Sequence, residues 1–337
     1  MKRVITLIWW HVPLSRENKE KLKAFVFVLF PFLFRNSRVY RNWHEAMVFS
    51  KQHGGPGERT HSGYITGDRR FSNAVPEYPP EPIPAEPVSE LAIVIHAYYF
   101  DVFQEIMTYL RRIHSVTFRI FVTSPDSLTG KISALLGENK FAFESIATEN
   151  RGRDILPFLE ILPRVFSQGY QAILKIHTKK SDHRMSGERW RHDLYRKLIT
   201  AQAMTQALRL FNGDHTIGII GAQGHIVPMN LYYGANARRV ESLSAAMGVH
   251  PSHLPVLSFP AGSMFYARKQ ALLPLLNLNI TTGDFEDENG QKDGTMAHAV
   301  ERAFAVSTLA SNLKQVDISY DLKKLNFTIT KDHPFTH

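Results

Sequence analysis

Two short segments carry the most chemistry in this chain: Glu149-Asn150-Arg151-Gly152-Arg153-Asp154 and, further along, Lys175-Ile176-His177-Thr178-Lys179-Lys180-Ser181. Each sets cations, an imidazole or a carboxylate beside an apolar run that reads as a buried strand or helix. Reactive groups in α/β proteins gather at the carboxyl ends of strands. In the first segment Gly152 permits a tight turn, Arg151 and Arg153 can hold anionic oxygens in a fork, and Asp154 can cap the helix that follows. In the second, Lys179 and Lys180 add to Lys175, Arg189 and Arg191. That density suits phosphate or carboxylate binding, against the plainer reading of solvated lysines at a strand exit. Together the charges suit a doubly anionic group such as a nucleotide diphosphate.

Three more clusters fall at element ends. His96 closes an apolar run, where a lone histidine is more often structural. Ala261, Gly262 and Ser263 precede the apolar run Met264-Phe265-Tyr266-Ala267, and small residues there admit a ligand or another backbone. An edge strand with a turn explains them almost as well. Between Phe285 and Arg302, carboxylates that include Glu288 and Asp293 crowd a glycine-containing loop. His298, Glu301 and Arg302 then share one face of a helix whose other stripe is Met296, Val300 and Phe304. A solvated acidic loop with a weak surface ion pair is the alternative. No G-x-x-x-x-G-K-[ST] loop, G-x-S-x-G elbow, H-E-x-x-H pair or G-x-G-x-x-G turn occurs, which argues against the chemistries those motifs serve.

The elements that must position these residues alternate. Apolar runs at 91–99, 118–123, 142–147, 172–177 and 216–221 read as buried strands. Periodic segments at 102–112, 130–136, 154–166 and 196–211 read as helices. Such alternation predicts βαβ units and a mainly parallel sheet flanked by helices. The 337 residues suffice for one large domain with an appendage, and the absence of cysteine excludes disulfides and thiolate chemistry. A formal charge of +9 favours anionic partners, but it is spread without a Lys/Arg tract, so nucleic acid is not expected.

Residues 1–88 differ from the rest. The run Ala24 to Phe34 is intensely apolar between basic flanks, but it is too short to span a bilayer and contains Pro31. It reads equally as an interfacial anchor on anionic lipid or as a packed core helix. The prolines between Tyr78 and Pro87 mark a linker, so the expected division is an extension over 1–88 and an α/β domain over 89–337.

Taken in order, the words Val94-Ile95-His96-Ala97-Tyr98-Tyr99, Glu149 to Ile155, Lys175 to Ser181, Ala261 to Phe265 and Asp293 to Arg302 resemble the rhamnan synthesis protein F family of bacterial surface-polysaccharide biosynthesis proteins. The resemblance covers roughly residues 91–310. It implies a GT-A-like fold of the nucleotide-diphospho-sugar transferase type. The implied activity is transfer of a hexose or deoxyhexose, of the rhamnose or galactose class, to a lipid-linked or growing surface glycan at the cytoplasmic face of the membrane. A non-catalytic glycan-binding or assembly protein with the same fold is the alternative. By the resemblance, His96, Asn150, Arg151, Arg153, Asp154, Lys175, His177, Lys179 and Lys180 hold the donor diphosphate. Asp293, Glu288 and His298 are the catalytic candidates, Glu301 and Arg302 organise their neighbours, and Gly262, Ser263 and Trp190 lie on the acceptor side. The turn from His177 to Ser181 stands where related enzymes carry an Asp-x-Asp metal motif. That motif is absent, so Lys and Arg are expected to do the neutralising with no required cofactor, although Mg or Mn could serve.

Overall fold

The computed structural model describes residues 26–27, 88–178, 187–291 and 293–318. The chain divides into two units, Met1–Gly63 and Tyr64–His337. In the first only Val26 and Phe27 are described, both helical. The linker at 78–87 and most of the apolar run at 24–34 lie outside the described residues. No helix among the described residues is long and apolar enough to cross a membrane.

In the second unit the expected alternation forms a seven-stranded sheet. Its strands are β1 (Leu91–His96), β2 (Phe118–Ser124), β3 (Phe143–Ala147), β4 (Ala172–His177), β5 (Ile217–Ala222), β8 (Phe265–Arg268) and β9 (Lys314–Ile318), in the order β3-β2-β1-β4-β8-β5-β9. A small antiparallel pair, β6 (Ile226–Pro228) and β7 (Ser258–Pro260), stands apart. All pairings in the large sheet are parallel except those of β8, which runs antiparallel between β4 and β5. The segment after Gly262 is therefore an interior strand, and the edge-strand reading fails. Every residue of β1, β4 and β8 is buried, which explains their unbroken apolar runs.

Helices cover both faces. On one lie α1 (Phe100–Leu110), α2 (Asp126–Glu138), α4 (Gly187–Leu198) and α5 (Ala201–Gly213), packed on Leu91, Ile93, Ile95, Leu174 and Ile176. On the other lie α3 (Leu156–Ser167), α6 (Ala237–Ala246), α7 (Lys269–Leu276) and α8 (Met296–Ala310), packed on Ala92, Val94 and Ile173. The arrangement follows from handedness. From β1 the chain moves outward through β2 to β3, then jumps back past β1 to β4. Crossovers keep one hand, so reversing direction puts α3 on the face opposite α1 and α2. The sequence pattern at 196–211 suggested one helix. The chain instead breaks near Thr200, whose side chain caps α5 by accepting from Ala203 N–H. A threonine in extended backbone satisfies a free helix N–H better than it continues the turn.

Helix α8 is nearly all buried, and Phe304 anchors it. Its ring meets those of Phe265 at 5.0 Å and Phe158 at 5.7 Å, edge to face, joining α8, β8 and α3. Phe304→Ala should therefore cost about 3–5 kcal/mol of stability, read as a lower denaturant midpoint with an unchanged m-value.

Candidate functional site

Between β1 and β4 the strand order reverses, and such a reversal opens a crevice at the carboxyl ends. Register pairs Val94 with Lys175 and His96 with His177. Because side chains alternate, the three polar ones share the face covered by α3. A lysine and two histidines thus sit together at the carboxyl edge, all buried.

Lys175 is 1% exposed. Its Nζ donates to Asp154 Oδ2 at 2.6 Å and to the Ser263 carbonyl at 3.0 Å, and it rests 5.0 Å from the Phe158 ring centre. A buried ammonium needs such company, since an unpaired charge there would be expelled or neutralised. The Asp154 carboxylate thus faces Lys175, while helix α3 begins two residues later at Leu156. His177 Nε2–H donates to the Gly262 carbonyl at 2.7 Å and lies 3.7 Å from the same Asp154 oxygen. A carbonyl only accepts, so the proton is on Nε2. Thr178 ties the two strand exits together: its Oγ1 accepts from the N–H groups of Tyr98 and Tyr99 at 2.8 and 2.9 Å. Tyr195 O–H donates to the His177 carbonyl at 2.8 Å.

His96 Nδ1 lies 3.0 Å from Thr123 Oγ1. Burial pushes its pKa down to about 4; the Asp154 carboxylate opposes this, while His177 and Lys175 add to it. His96 is a neutral imidazole at pH 7.

Gly262 is a junction. Its N–H donates to Glu301 Oε1 at 2.7 Å, its carbonyl takes His177, and the Trp190 ring lies flush against its Cα. With φ +85° and no room for a Cβ beside Trp190, only glycine fits. Ser263 follows with φ 57°.

The loop after β3 turns toward the acidic segment. Arg151 donates from Nε to the Phe285 carbonyl at 3.0 Å and pairs through Nη2 with Asp287 at 2.9 Å. Arg153, held at φ 57°, meets His298 Nε2 at 2.9 Å, Glu288 Oε2 at 3.5 Å and the Gln291 carbonyl. His298 Nε2 thus faces the Arg153 guanidinium, while its Nδ1 accepts from Thr295 N–H at 3.4 Å and lies 2.8 Å from Thr295 Oγ1. Gly152, at φ +65°, lets Phe285 press into the turn; a Cβ there would stand 2.8 Å from that ring.

Asp293 is built differently. Its Oδ2 accepts from Ala235 N–H at 3.0 Å and its Oδ1 from the Asn236 amide at 2.7 Å. Burial alone would raise its pKa, but these hydrogen bonds, the Gly294 N–H and the Arg302 charge hold it below the usual carboxylate range. Arg302 is buried, donating to the Tyr232 and His298 carbonyls and pairing with Glu301 at 3.3 Å. The surface-pair reading of Glu301 and Arg302 therefore fails.

Of the residues singled out in the sequence, His96, Asp154, Lys175, His177, Gly262, Ser263, Trp190 and Glu301 form one connected group. Arg151, Arg153, Glu288 and His298 form a second, and Asp293 with Arg302 a strut behind them. Asn150 is exposed, and Lys179, Lys180 and Ser181 lie outside the described residues. Sequence reasoning missed Thr178, although it lies inside the quoted motif, and Asn236. It also missed a separate buried group in which Asp193 Oδ2 meets Lys197 Nζ at 2.6 Å and His225 Nε2 at 2.8 Å. The Asp193-Lys197 spacing, i and i+4 on a helix, was its only readable sign. As for a metal, the described residues at the exit of β4 are Lys175, His177 and Thr178, and the Asp154 carboxylate beside them is bound to Lys175. Among the described residues no group of three or more His, Asp or Glu side chains could hold a metal ion.

The model of a protein family, rhamnan synthesis protein F, matches residues 79–313. The chain belongs to the rhamnan synthesis protein F family. Two Xanthomonas campestris pv. campestris proteins, from strains B100 and ATCC 33913 and both called uncharacterized protein WxcX, are 33% identical to it over 230 residues. The match takes in 68% of this chain and 33% of each relative, so the chain spans about a third of the length of these curated relatives. Among solved structures, S. aureus TarS 1-349 is similar at 12% identity and TM-score 0.38, covering 68% of this chain and 58% of that one. A putative nucleotide-diphospho-sugar transferase from Desulfovibrio desulfuricans G20 is similar at 13% identity and TM-score 0.35, covering 68% and 80%.

In this rhamnan synthesis protein F member the buried His96 makes stability depend on pH. Its folded pKa, about 4, lies below the unfolded value of 6.5. The unfolded chain therefore binds the extra proton, and stability falls as pH drops from about 6.5 toward 4. Asp317 has the opposite sign, because burial raises its carboxyl to about 6. The comparison to make is wild type against His96→Asn, in which Asp317 cancels. Between pH 7 and pH 5 the wild type should lose about 2 kcal/mol more than the variant, as read by urea unfolding.

Proposed function

We propose that this protein is a glycosyltransferase that moves a hexose or deoxyhexose, of the rhamnose or galactose class, from a nucleotide-diphospho-sugar to a lipid-linked or growing bacterial surface glycan. The observation that carries the reading is the polar group at the β1–β4 reversal, flanked by two half-open arginines, in a member of a rhamnan synthesis family. In this reading the fold is of the GT-A-like kind, and work at the cytoplasmic membrane face would use the run at 24–34 as a peripheral contact with anionic lipid.

The roles divide by burial. Lys175, His177 and His96 are too deep to touch a phosphate; they form the floor and hold Asp154 and Gly262 in place. Arg151 and Arg153, with side chains 26% and 23% exposed, reach solvent and receive the diphosphate, with the charges of Lys179 and Lys180 added to theirs. As the bond from the anomeric carbon to the phosphate oxygen breaks, its electron pair stays on the diphosphate, and these preorganised cations stabilise the growing charge. The acceptor hydroxyl forms the new bond and gives its proton to a carboxylate. Glu288 suits that role better than Asp293, whose two oxygens each already accept a hydrogen bond and whose basicity is reduced. Trp190, Gly262 and Ser263 border the acceptor side.

One observation favours the non-catalytic reading: both arginines already hold carboxylates. The two readings part on donor chemistry. A panel of nucleotide sugars, assayed for release of nucleotide diphosphate, should include at least one that is hydrolysed slowly, with activity surviving thorough chelation. Glu288→Gln should lower kcat by about 10²-fold or more. Full turnover in that variant removes Glu288 as the base. Absence of calorimetric binding by every nucleotide sugar tested would favour the assembly protein.

A further inference from the structure

The two arginines best placed to receive a diphosphate are occupied by the protein itself. Phe285 anchors the occupying segment by burying its ring against Gly152. Its carbonyl accepts from Arg151, the Asp287 carboxylate pairs with the same guanidinium, and the Glu288 carboxylate and Gln291 carbonyl face Arg153. Next to Phe285, Glu286 accepts from Met296 N–H at 2.9 Å and pairs with Arg239, which ties the start of the segment to the start of α8. The segment is thus pinned at its start, and the residues that follow offer two carboxylates, a doubly negative group, to two arginines. A diphosphate presents the same charge to the same donors.

The exposures differ in a telling way. Lys175, bonded to Asp154, is buried and fixed. Asp287, by contrast, has a side chain 77% exposed. An exposed pair of this kind holds by no more than about 1 kcal/mol, so a ligand with several charge-assisted hydrogen bonds can displace it. Arg153 sits at φ 57°, a conformation seldom adopted outside glycine. The structure holds that strain at the residue whose guanidinium faces the segment, and strained backbone concentrates at ligand clamps and switches.

We propose that the 285–291 segment is an internal stand-in for the diphosphate: its carboxylates occupy Arg151 and Arg153 until an incoming polyphosphate replaces them, which lowers affinity and frees Glu288 on binding. The inference rests on the donor site proposed above and adds its regulation. The probe is inorganic pyrophosphate, titrated calorimetrically into the full chain. Asp287→Asn/Glu288→Gln removes the competitor and should bind pyrophosphate about three- to tenfold more tightly than wild type. Glu90→Gln/Glu138→Gln makes the same charge change at two exposed positions away from the site and should leave affinity unchanged. Arg151→Gln/Arg153→Gln should abolish the gain when added to the first pair. Equal affinity for Asp287→Asn/Glu288→Gln and wild type, an equal gain in the control pair, or no pyrophosphate binding by any of these proteins would overturn the stand-in. Pyrophosphate binding that shows the gain, in a protein that binds no nucleotide sugar, would keep the stand-in and reject the donor reading instead.

Discussion

The site depends on one buried ion pair, Lys175 with Asp154. Lys175 belongs to β4 and Asp154 to the loop before α3, while the second bond of the ammonium goes to Ser263 on the approach to β8. Three segments distant in sequence are therefore fixed by one cation. Burying it costs several kcal/mol, which the close carboxylate, the carbonyl and the Phe158 face offset only together. Removing any partner leaves a charge without compensation, so such a pair specifies geometry more than it adds stability. His96 beside it is kept neutral chiefly by burial, which His177 and Lys175 reinforce and the Asp154 carboxylate opposes.

From that pair the order spreads through backbone groups. His177 is oriented by the Gly262 carbonyl, Gly262 by Glu301, and Glu301 by Arg302, which also holds the Tyr232 and His298 carbonyls. Asp293 secures the turn around Gly234 to Asn236. Apart from the exposed contact of Ala235 N–H with Asp293, the links are part-buried hydrogen bonds, and they run from the centre of the sheet to the start of α8. Helix α8 can serve as a platform because the rings of Phe304, Phe158 and Phe265 lock it to the sheet.

Much of this was legible from the residues. Apolar runs announced β1, β2, β4 and β5, and the polar residues His96 and His177 stood at the ends of β1 and β4. The words around Arg151, His177, Gly262 and His298 proved to be neighbours in pairs. Other features were hidden for physical reasons. A four-residue strand such as β8 has no periodicity to read, so its interior place could not be distinguished from an edge. Burial of a lysine is invisible when its neighbours in sequence are ordinary strand residues. That Arg151 and Arg153 face Asp287 and Glu288 is a contact across more than a hundred residues, which local pattern does not encode. Thr200 was readable as a cap, and the helix pattern around it masked the break.

A count of positive charge therefore says little about where anions bind. Arg268 is 1% exposed and donates to the Ile217 carbonyl over the Phe211 ring. Arg302 and Lys175 are likewise buried, and the charge of all three is met by carbonyls, carboxylates or aromatic faces. A cation can grip a ligand only if it is held by partners that yield. Among the described residues at the site, Arg151 and Arg153 meet that condition, since their carboxylate partners are themselves partly open to water while the Phe285 and Gln291 carbonyls fix their direction. Rigid aim and weak neutralisation are separate requirements, and the loop 151–154 satisfies the first through Gly152 and the second through Asp287 and Glu288.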